Sequence, residues 1–369
     1  MSPNPPENSL NGNDPVQAPV KAMVIGAPDF IAGKISDILG KDNRIDVAAR
    51  PANDKEAISQ FPGSGAEVII FDIGGAPMEA LKTIKALLRI DRHAQVIMVS
   101  TLNFTNVKTG IECLDQGAAE FLQTPASYTK GSSHAVFQHN LAETAYGLGL
   151  ARRKQGKPLH ARVRTPAPAI KLRRESMFSP DVLVIASSTG GPNALTEVFK
   201  GLEASITVPI FIAQHMPPAF TASLAKTIST KSGRPGAEGE DGEIVQNGRF
   251  YIAPGDKHMV VEKDGDDVRI RINQDPPENY CRPSADPLFR SIAEIYGAKT
   301  LATVLTGMGN DGEKGAKLIT EAGGTVIAQD EETCVVWGMP RAVAVAGLCS
   351  AVLPLGQIPG YLNKRAAKK

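Results

Sequence analysis

A serine, a histidine and an aspartate occupy comparable places in this 369-residue chain: Ser188, His215 and Asp311 each follow an apolar run. Together these residue types can carry out nucleophilic catalysis, since a histidine activates the serine hydroxyl and a carboxylate fixes the tautomer of the histidine. Each residue also has a structural interpretation. A histidine beside two prolines is usually structural, and an aspartate in an Asn-Asp-Gly turn usually caps a helix. The hypothesis of a Ser-His-Asp triad therefore depends on the joint occurrence of all three residues.

The serine lies in a glycine-rich turn between a predicted strand and a predicted helix. The apolar, β-branched run Val182 to Ile185 is typical of a buried parallel strand, and the helical pattern opens at Pro192. At this edge of an open α/β sheet, backbone N–H groups and the positive end of the helix can stabilise an oxyanion. The alternatives are a phosphate-binding turn or a simple tight turn, although the spacing fits neither the dinucleotide fingerprint nor the P-loop.

Two further predicted strands end at the histidine and the aspartate. Residues 210–213 form a buried run that leads into His215, where a pair of prolines forces the chain out of the strand. Residues 301–305 lead into a glycine-rich segment that contains Asp311. Because the carboxyl ends of parallel strands lie on one edge of a sheet, we expect the three side chains to converge. Their order in the chain, Ser, His, Asp, differs from the Ser, Asp, His order of α/β-hydrolases.

The C-terminal half of the chain, from about residue 181 to residue 362, resembles the chemotaxis protein-glutamate methylesterase family, CheB. Six segments carry the resemblance in this order: SSTGGP, AQHMPPAFTASLA, GRFYIAPGDKHM, RPSADPLF, LTGMGNDGEKG and CVVWGMPRAV. The resemblance implies that Ser188, rather than its neighbour Ser187, is the nucleophile, with His215 as the base. It also implies that Asp311 is the acid that orients the histidine.

The same resemblance implies roles for groups around the triad. The implied oxyanion donors are backbone N–H groups near Thr189 and Met308. Residues 251–258, 282–286 and 338–341 also match family motifs, and we interpret them as loops that shape the edge of the cleft. We expect no cofactor and no metal ion to take part in catalysis.

As a function, the resemblance implies hydrolysis of glutamate methyl esters on methyl-accepting chemotaxis receptors, with release of methanol, during adaptation in chemotaxis signalling. It also implies deamidation of receptor glutamines, because an amide passes through the same tetrahedral chemistry. The receptors are then the protein substrate, a chemotaxis histidine kinase is a candidate partner, and the location is cytoplasmic. The alternatives are a non-catalytic regulator or docking protein that keeps the fold, and a phosphate- or nucleotide-binding α/β protein.

The composition of the chain fits two globular domains and does not favour a nucleic-acid-binding, membrane-spanning or secreted protein. Hydrophobic residues make up 42%, and 40 basic residues against 39 acidic ones give no chain-wide argument for nucleic-acid binding. No apolar run reaches the ~18 residues of a membrane-spanning helix, so no membrane insertion is expected. The first residues lack the apolar core of a secretory signal. The four cysteines form no CxxC pair, which favours free thiols over disulfides or zinc ligands.

The pattern of elements predicts two doubly wound α/β domains with parallel sheets. We place a disordered tail at residues 1–20, a receiver-like (flavodoxin-like) domain at 21–150, a basic linker at 151–179 and a Rossmann-like catalytic domain at 180–369. In the catalytic domain, a DG turn within HMVVEKDGDDVRIRIN predicts a β-hairpin, which would add an antiparallel pair to the sheet. Residues 151–174 contain nine Lys or Arg and no acidic residue, so a patch that docks an acidic partner is the alternative to a linker.

The N-terminal half resembles a response-regulator receiver that lacks some functional residues. Asp72 matches the phosphoacceptor position at the end of the third strand, and Ser100 matches the usual Ser/Thr. The usual acidic pair after the first strand is absent, since the first carboxylate there is Asp29, and Thr124 replaces a lysine. One aspartate alone would hold Mg²⁺ poorly, because this hard cation needs several oxygen ligands. We expect a degenerate receiver that ordinary aspartyl phosphorylation does not regulate; a loop shift that brings Asp29 into the site is the alternative.

Overall fold

The computed structural model describes residues 18–26, 29–125, 132–154 and 170–367. These residues form two α/β units, each built on its own parallel sheet, and a separate two-stranded hairpin. The prediction of two parallel-sheet α/β units is confirmed. Most of the predicted tail and the middle of the predicted linker lie outside the described residues.

The first unit is built on a five-stranded parallel sheet. Its strands are β1 (Val20–Ile25), β2 (Ile45–Ala49), β3 (Val68–Asp72), β4 (Gln95–Ser100) and β5 (Glu120–Gln123), in the order β2-β1-β3-β4-β5. Its helices are α1 (Asp29–Leu39), α2 (Asp54–Ser64), α3 (Pro77–Ile90), α4 (Phe104–Asp115) and α5 (Ser132–Lys154). Val20, the first residue of β1, is fully buried.

The second unit is built on a seven-stranded sheet in which every pairing is parallel. Its strands are β6 (Val182–Ser187), β7 (Ile210–Gln214), β8 (Gly236–Glu238), β9 (Phe250–Ile252), β12 (Thr300–Val304), β13 (Thr325–Gln329) and β14 (Ala351–Leu353). Its helices are α6 (Gly191–Gly201), α7 (Phe220–Ser232), α8 (Ala285–Tyr296), α9 (Glu313–Glu321), α10 (Met339–Val345) and α11 (Ile358–Ala366). The strand order is β14-β13-β12-β6-β7-β9-β8, so β6 lies directly between β12 and β7.

The hairpin of the second unit lies outside the main sheet. It consists of β10 (His258–Asp264) and β11 (Asp267–Asn273), which pair antiparallel. The predicted hairpin is confirmed, but it forms a sheet of its own instead of adding a pair to the parallel sheet. The physical reason is burial: Met259, Val261 and Ile270 of the hairpin share an apolar core with residues of α8. The hairpin therefore covers a helix rather than extending the sheet.

The two units pack directly on each other through aromatic and apolar side chains. The ring centroids of Phe121, in β5, and Phe220, at the start of α7, lie 4.4 Å apart. Gly110 of α4 lies against both rings, since a Cβ added there would lie 2.9 Å from Phe121 and 3.0 Å from Phe220. A Cβ added to Gly147 of α5 would lie only 2.1 Å from the methyl carbon of Met308. Glycine at these two positions therefore lets the first unit approach the loops of the second unit closely.

The described start of the predicted basic linker belongs to the first unit. Helix α5 continues to Lys154, so it includes the first residues of that segment. Arg152 forms an ion pair with Asp91 at 2.6 Å, and Arg153 forms one with Glu67 at 2.5 Å. These two arginines thus have acidic partners within the chain, which disfavours a role for them in docking an acidic partner.

Candidate active site

The turn after β6 holds Ser188 close to the start of α6. Strand β6 ends at Ser187, and α6 begins at Gly191. Gly190 has a left-handed φ of 78°, and a Cβ added there would lie 2.6 Å from Val335. A residue with a side chain would be unfavourable at this position for both reasons. Ser188 itself is almost buried, with 9% of its surface exposed.

A second glycine lets the loop after β12 touch the serine. A Cβ added to Gly307 would lie 2.8 Å from Ser188 Cβ and 2.5 Å from Met339 Sδ. The Gly307 carbonyl accepts a hydrogen bond from the Met339 N–H at 2.9 Å, which holds the loop in this place. A larger residue would push the loop that carries Met308 and Asp311 away from the serine.

Gln214, the last residue of β7, connects the serine turn to the histidine. Its side-chain oxygen accepts a hydrogen bond from Ser187 Oγ at 2.6 Å. Its Nε2 donates to the carbonyl oxygens of Ser188 and His215, both at 3.0 Å. The side chain is fully buried, so these bonds fix the two strand ends relative to each other. The sequence analysis did not single out Gln214, because no sequence signal shows that one amide spans two loops.

The structure brings His215 and Asp311 into direct contact. His215 Nε2 lies 2.7 Å from Asp311 Oδ2. The carboxylate also accepts hydrogen bonds from Ser284 Oγ and the Ala285 N–H, both at 2.6 Å, at the start of α8. Burial alone would raise the pKa of Asp311, but the hydrogen bonds from His215, Ser284 and Ala285 lower it to about 2. Asp311 is therefore ionised at neutral pH and favours the tautomer with a proton on Nε2.

The other ring nitrogen of His215 faces a thiol. Nδ1 lies 3.3 Å from Cys281 Sγ. No hydrogen bond joins His215 to Ser188 Oγ among the described residues, so the structure links two of the three predicted triad members directly. Burial lowers the pKa of His215, but the Cys281 thiol and the Asp311 carboxylate outweigh burial and hold that pKa well above its usual value. Sequence reasoning took Cys281 for an ordinary thiol, because a single cysteine in a loop carries no signal of its neighbours.

The two backbone groups predicted to hold an oxyanion lie on the loops beside the serine. Within the part of the chain that the structure describes, neither Thr189 nor Met308 donates a hydrogen bond from its N–H. The Ser188 N–H, in contrast, donates to the Thr306 carbonyl at 3.0 Å and is already engaged. The N–H groups of Thr189 and Met308 are therefore available to a ligand at this edge.

A carboxyl group of the first unit also reaches this site. The side chain of Glu120, on β5, lies within hydrogen-bonding reach of the Thr189 side chain. Loss of hydration raises the pKa of Glu120 to about 7, despite its hydrogen bonds and the nearby positive charge of His215. The first unit therefore covers the serine turn with a group that titrates near neutrality. Sequence reasoning missed Glu120, since a glutamate at the start of a weak strand is normally a solvated residue.

Comparison with known proteins identifies the family. Residues 183–362 match the family described as CheB methylesterase. A protein-glutamate methylesterase/protein-glutamine glutaminase of Rhodospirillum rubrum is 42% identical over 95% of this chain and 96% of its own length. A protein with the same description from Paramagnetospirillum magneticum is 39% identical over 98% of this chain and its own whole length. The chain belongs to the CheB methylesterase family.

Membership in the CheB family confirms the resemblance drawn from the sequence and makes the chain a hydrolase of the methylesterase class. Among solved structures, the CheB catalytic domain of Thermotoga maritima is 44% identical over 51% of this chain and 99% of that chain, with a TM-score of 0.49. The CheB response regulator domain of the same organism is 22% identical over 35% of this chain and 96% of that chain, with a TM-score of 0.31.

The receiver-like unit places Asp72 at the end of β3, with its carboxylate largely buried. Asp72 Oδ1 accepts a hydrogen bond from the Gly74 N–H at 2.9 Å, whereas Oδ2 is buried and unpaired in the described chain. Ser100 Oγ, at the end of β4, accepts a hydrogen bond from Asn106 Nδ2 at 2.7 Å. Burial raises the pKa of Asp72. Among the described side chains, which do not include that of Asp29, no group of three or more His, Cys, Asp or Glu could hold a metal ion.

The structure also bears on the predictions for the cysteines and for membrane-spanning helices. None of the four cysteines, Cys113, Cys281, Cys334 and Cys349, forms a disulfide in the described chain, as the spacing favoured. In the residues that the structure describes, no helix has both the length and the apolar character needed to cross a membrane.

Proposed function

We propose that the chain hydrolyses glutamate methyl esters on methyl-accepting chemotaxis receptors, with Ser188, His215 and Asp311 as its catalytic triad. The observation that carries this proposal is the 2.7 Å contact between His215 Nε2 and Asp311 Oδ2, at the sheet edge where Ser188 follows the middle strand. The description of the relatives as protein-glutamate methylesterases supports the choice of substrate.

The reaction begins when Ser188 Oγ attacks the ester carbonyl carbon and its proton passes to His215. Asp311 stays ionised and stabilises the imidazolium that forms. The carbonyl oxygen becomes an oxyanion, and the N–H groups of Thr189 and Met308 hold it. Each such donor contributes about 3 kcal/mol of transition-state stabilisation in enzymes of this kind. His215 then protonates the departing methoxide, which leaves as methanol.

The second half of the reaction releases the product. Water, activated by His215, attacks the acyl-enzyme, and the bond between Ser188 Oγ and the glutamyl carbonyl breaks. The products are the glutamate carboxylate and the free serine. A glutamine side chain would follow the same route with ammonia as the leaving group, which agrees with the second activity in the relatives' description. One site therefore accounts for both activities.

Methanol release from methylated receptor membranes tests the proposal. Ser188→Ala is expected to lower the rate at least about 10³-fold, because the acyl-enzyme cannot form. Ser205→Ala, a serine exposed on the surface of the same unit, is the matched control and is expected to keep the wild-type rate. Methanol release by Ser188→Ala at the wild-type rate would reject the triad and favour the alternative of a docking protein that keeps the fold.

The first unit, in our proposal, is a degenerate receiver that covers the active site without being switched by aspartyl phosphorylation. The sequence supports this view, because the acidic pair after the first strand is absent and Thr124 replaces the lysine. A chemotaxis histidine kinase as a partner and a cytoplasmic location both stay predictions.

A further inference from the structure

A four-residue turn before α8, residues 278–281, contacts both catalytic side chains and the first unit. The turn is closed by a hydrogen bond from the Cys281 N–H to the Glu278 carbonyl at 2.9 Å. Its two central residues, Asn279 and Tyr280, have φ values of 52° and 61°. Left-handed backbone is unfavourable for residues that carry a Cβ, and a tyrosine seldom adopts it. Contacts with the surroundings must therefore hold the turn in this conformation.

Two side chains of the turn point to the catalytic pair. Asn279 Nδ2 donates hydrogen bonds to Asp311 Oδ1 and Asp286 Oδ2, both at 2.8 Å. Cys281 Sγ lies 3.3 Å from His215 Nδ1. A single turn thus contacts the acid with one residue and the base with another, and any shift of the turn acts on both.

The side chain between them reaches the first unit. The ring centroid of Tyr280 lies 4.6 Å from that of His139, which belongs to α5. Tyr280 is 57% exposed, so this stack lies at the rim of the contact between the two units. Three consecutive residues therefore link the first unit to the catalytic pair.

The contact between Cys281 and His215 has a chemical consequence. Asp311 occupies Nε2, so Nδ1 is the nitrogen that remains to accept the proton of Ser188. Cys281 and Asp311 both raise the pKa of His215, which favours a proton on Nδ1 as well, directed at Cys281 Sγ. A nitrogen that keeps this proton cannot accept the proton of the serine.

We propose that the turn 278–281 couples the docking of the first unit to the catalytic base. While Tyr280 stacks on His139, Cys281 occupies Nδ1 of His215 and keeps it from Ser188. Loss of the stack lets the turn move and frees Nδ1 for the serine. Cys281 is thus a positioning residue, and the inference rests on the proposed role of His215 as the base.

Activity of the full-length chain gives the first test. Tyr280→Ala and His139→Ala are each expected to raise methanol release about fivefold or more, since each removes one side of the stack. His139→Ala changes no residue of the turn, so it shows whether an effect of Tyr280→Ala comes from loss of the stack or from misfolding of the turn. Phe178→Ala is the matched control, because that ring is 56% exposed outside the contact, and it is expected to leave the rate unchanged.

The titration of the His215 imidazole, followed by NMR in a Ser188→Ala background, gives a second test that needs no activity. Cys281→Ala is expected to lower the midpoint, because the thiol contributes to the raised pKa of His215. Tyr280→Ala and His139→Ala are expected to shift the midpoint in the same direction.

The two measurements separate the possible outcomes. A rise in activity with an unchanged His215 titration means that the first unit only covers the site, and it overturns the proposal. Unchanged activity and titration in both stack variants overturn it as well. If Ser188→Ala keeps full activity, the triad is wrong, yet the shift of the titration by Tyr280→Ala still decides whether the turn transmits docking to His215.

Discussion

At the scale of single residues, the charge of the site is concentrated on Asp311. The carboxylate is buried, yet it accepts hydrogen bonds from His215, Ser284 and Asn279 as well as from backbone N–H groups. Asp286 lies next to it and shares Asn279, and burial together with the charge of Asp311 raises the pKa of Asp286. The pKa of Asp286 is therefore raised while that of Asp311 is lowered. Asp311, which contacts the base, is the group that stays ionised.

The neutral variant Asp311→Asn tests this assignment. It is expected to lower methanol release about 10⁴-fold, because an amide does not hold the imidazole in the tautomer that leaves a base for the serine. Asp267→Asn, on the exposed end of the hairpin, is the matched control and should keep the wild-type rate. Retention of more than a tenth of the activity by Asp311→Asn would remove the aspartate from the mechanism.

The same carboxylate gives stability a defined dependence on pH. Folding lowers the pKa of Asp311 from 3.8 to about 2. The ionised carboxylate therefore makes its full contribution to the free energy of unfolding only above pH 3.8. That contribution, on the order of 2 kcal/mol, is lost as the pH falls through the folded-state pKa. Urea unfolding at pH 5 and pH 3 should therefore show a smaller loss of stability for Asp311→Asn than for the wild type.

At the scale of elements, the sequence predicted the convergence of strand ends better than the contacts of loops. Ser188, His215 and Asp311 each follow an apolar run, and the edge rule for parallel sheets is enough to expect them on one side. The sheet then places β6 between β7 and β12. Asn279 and Cys281 could not be predicted as partners of the catalytic pair, because their turn is positioned by tertiary contacts and not by a local pattern.

Strand β5 carries a second element-scale feature, the carboxyl of Glu120 beside Thr189. The pKa of this group is raised to about 7 where the first unit covers the site. Docking is therefore favoured when Glu120 is protonated, and it weakens as the pH rises from the ordinary glutamate value through that raised value. The first unit should release the serine turn more readily at pH 8 than at pH 6.

Glu120→Gln is expected to remove this dependence, since an amide keeps the hydrogen bond without a charge. The measured quantity is the rate of methanol release by the wild type divided by the rate of Glu120→Gln. This ratio should rise between pH 6 and pH 8. Because His215 titrates in both proteins, its effect on the rate cancels in the ratio. Glu79→Gln, exposed at the start of α3, should give a flat ratio to the wild type. A flat ratio for Glu120→Gln would mean that the carboxyl does not control docking.

At the scale of the whole molecule, the two units form one contact that runs from the aromatic pair Phe121 and Phe220 to the loop of Met308. The sequence predicted both units and the family, because each unit has its own strand rhythm and the motifs of the second are specific. It did not predict the contact between the units. Gly110 and Gly147 allow the two units to approach closely at this contact. The helical pattern of α4 and α5 does not predict a need for glycine at these positions, because that need arises only from the side chains of the second unit.

Phosphorylation of Asp72 is not expected to release the first unit from the active site. Asp72 is buried, its Oδ2 is unpaired within the described chain, and burial raises its pKa. Transfer of a phosphoryl group to Asp72 needs an ionised carboxylate and a metal that neutralises the incoming charge. We therefore expect a small phosphodonor with Mg²⁺ to leave methanol release by the full-length chain unchanged, as in Asp72→Asn. A rise that occurs in the wild type and is absent from Asp72→Asn would instead show that the site assembles a metal centre on binding, with Asp29, the first carboxylate after β1, as the candidate second ligand.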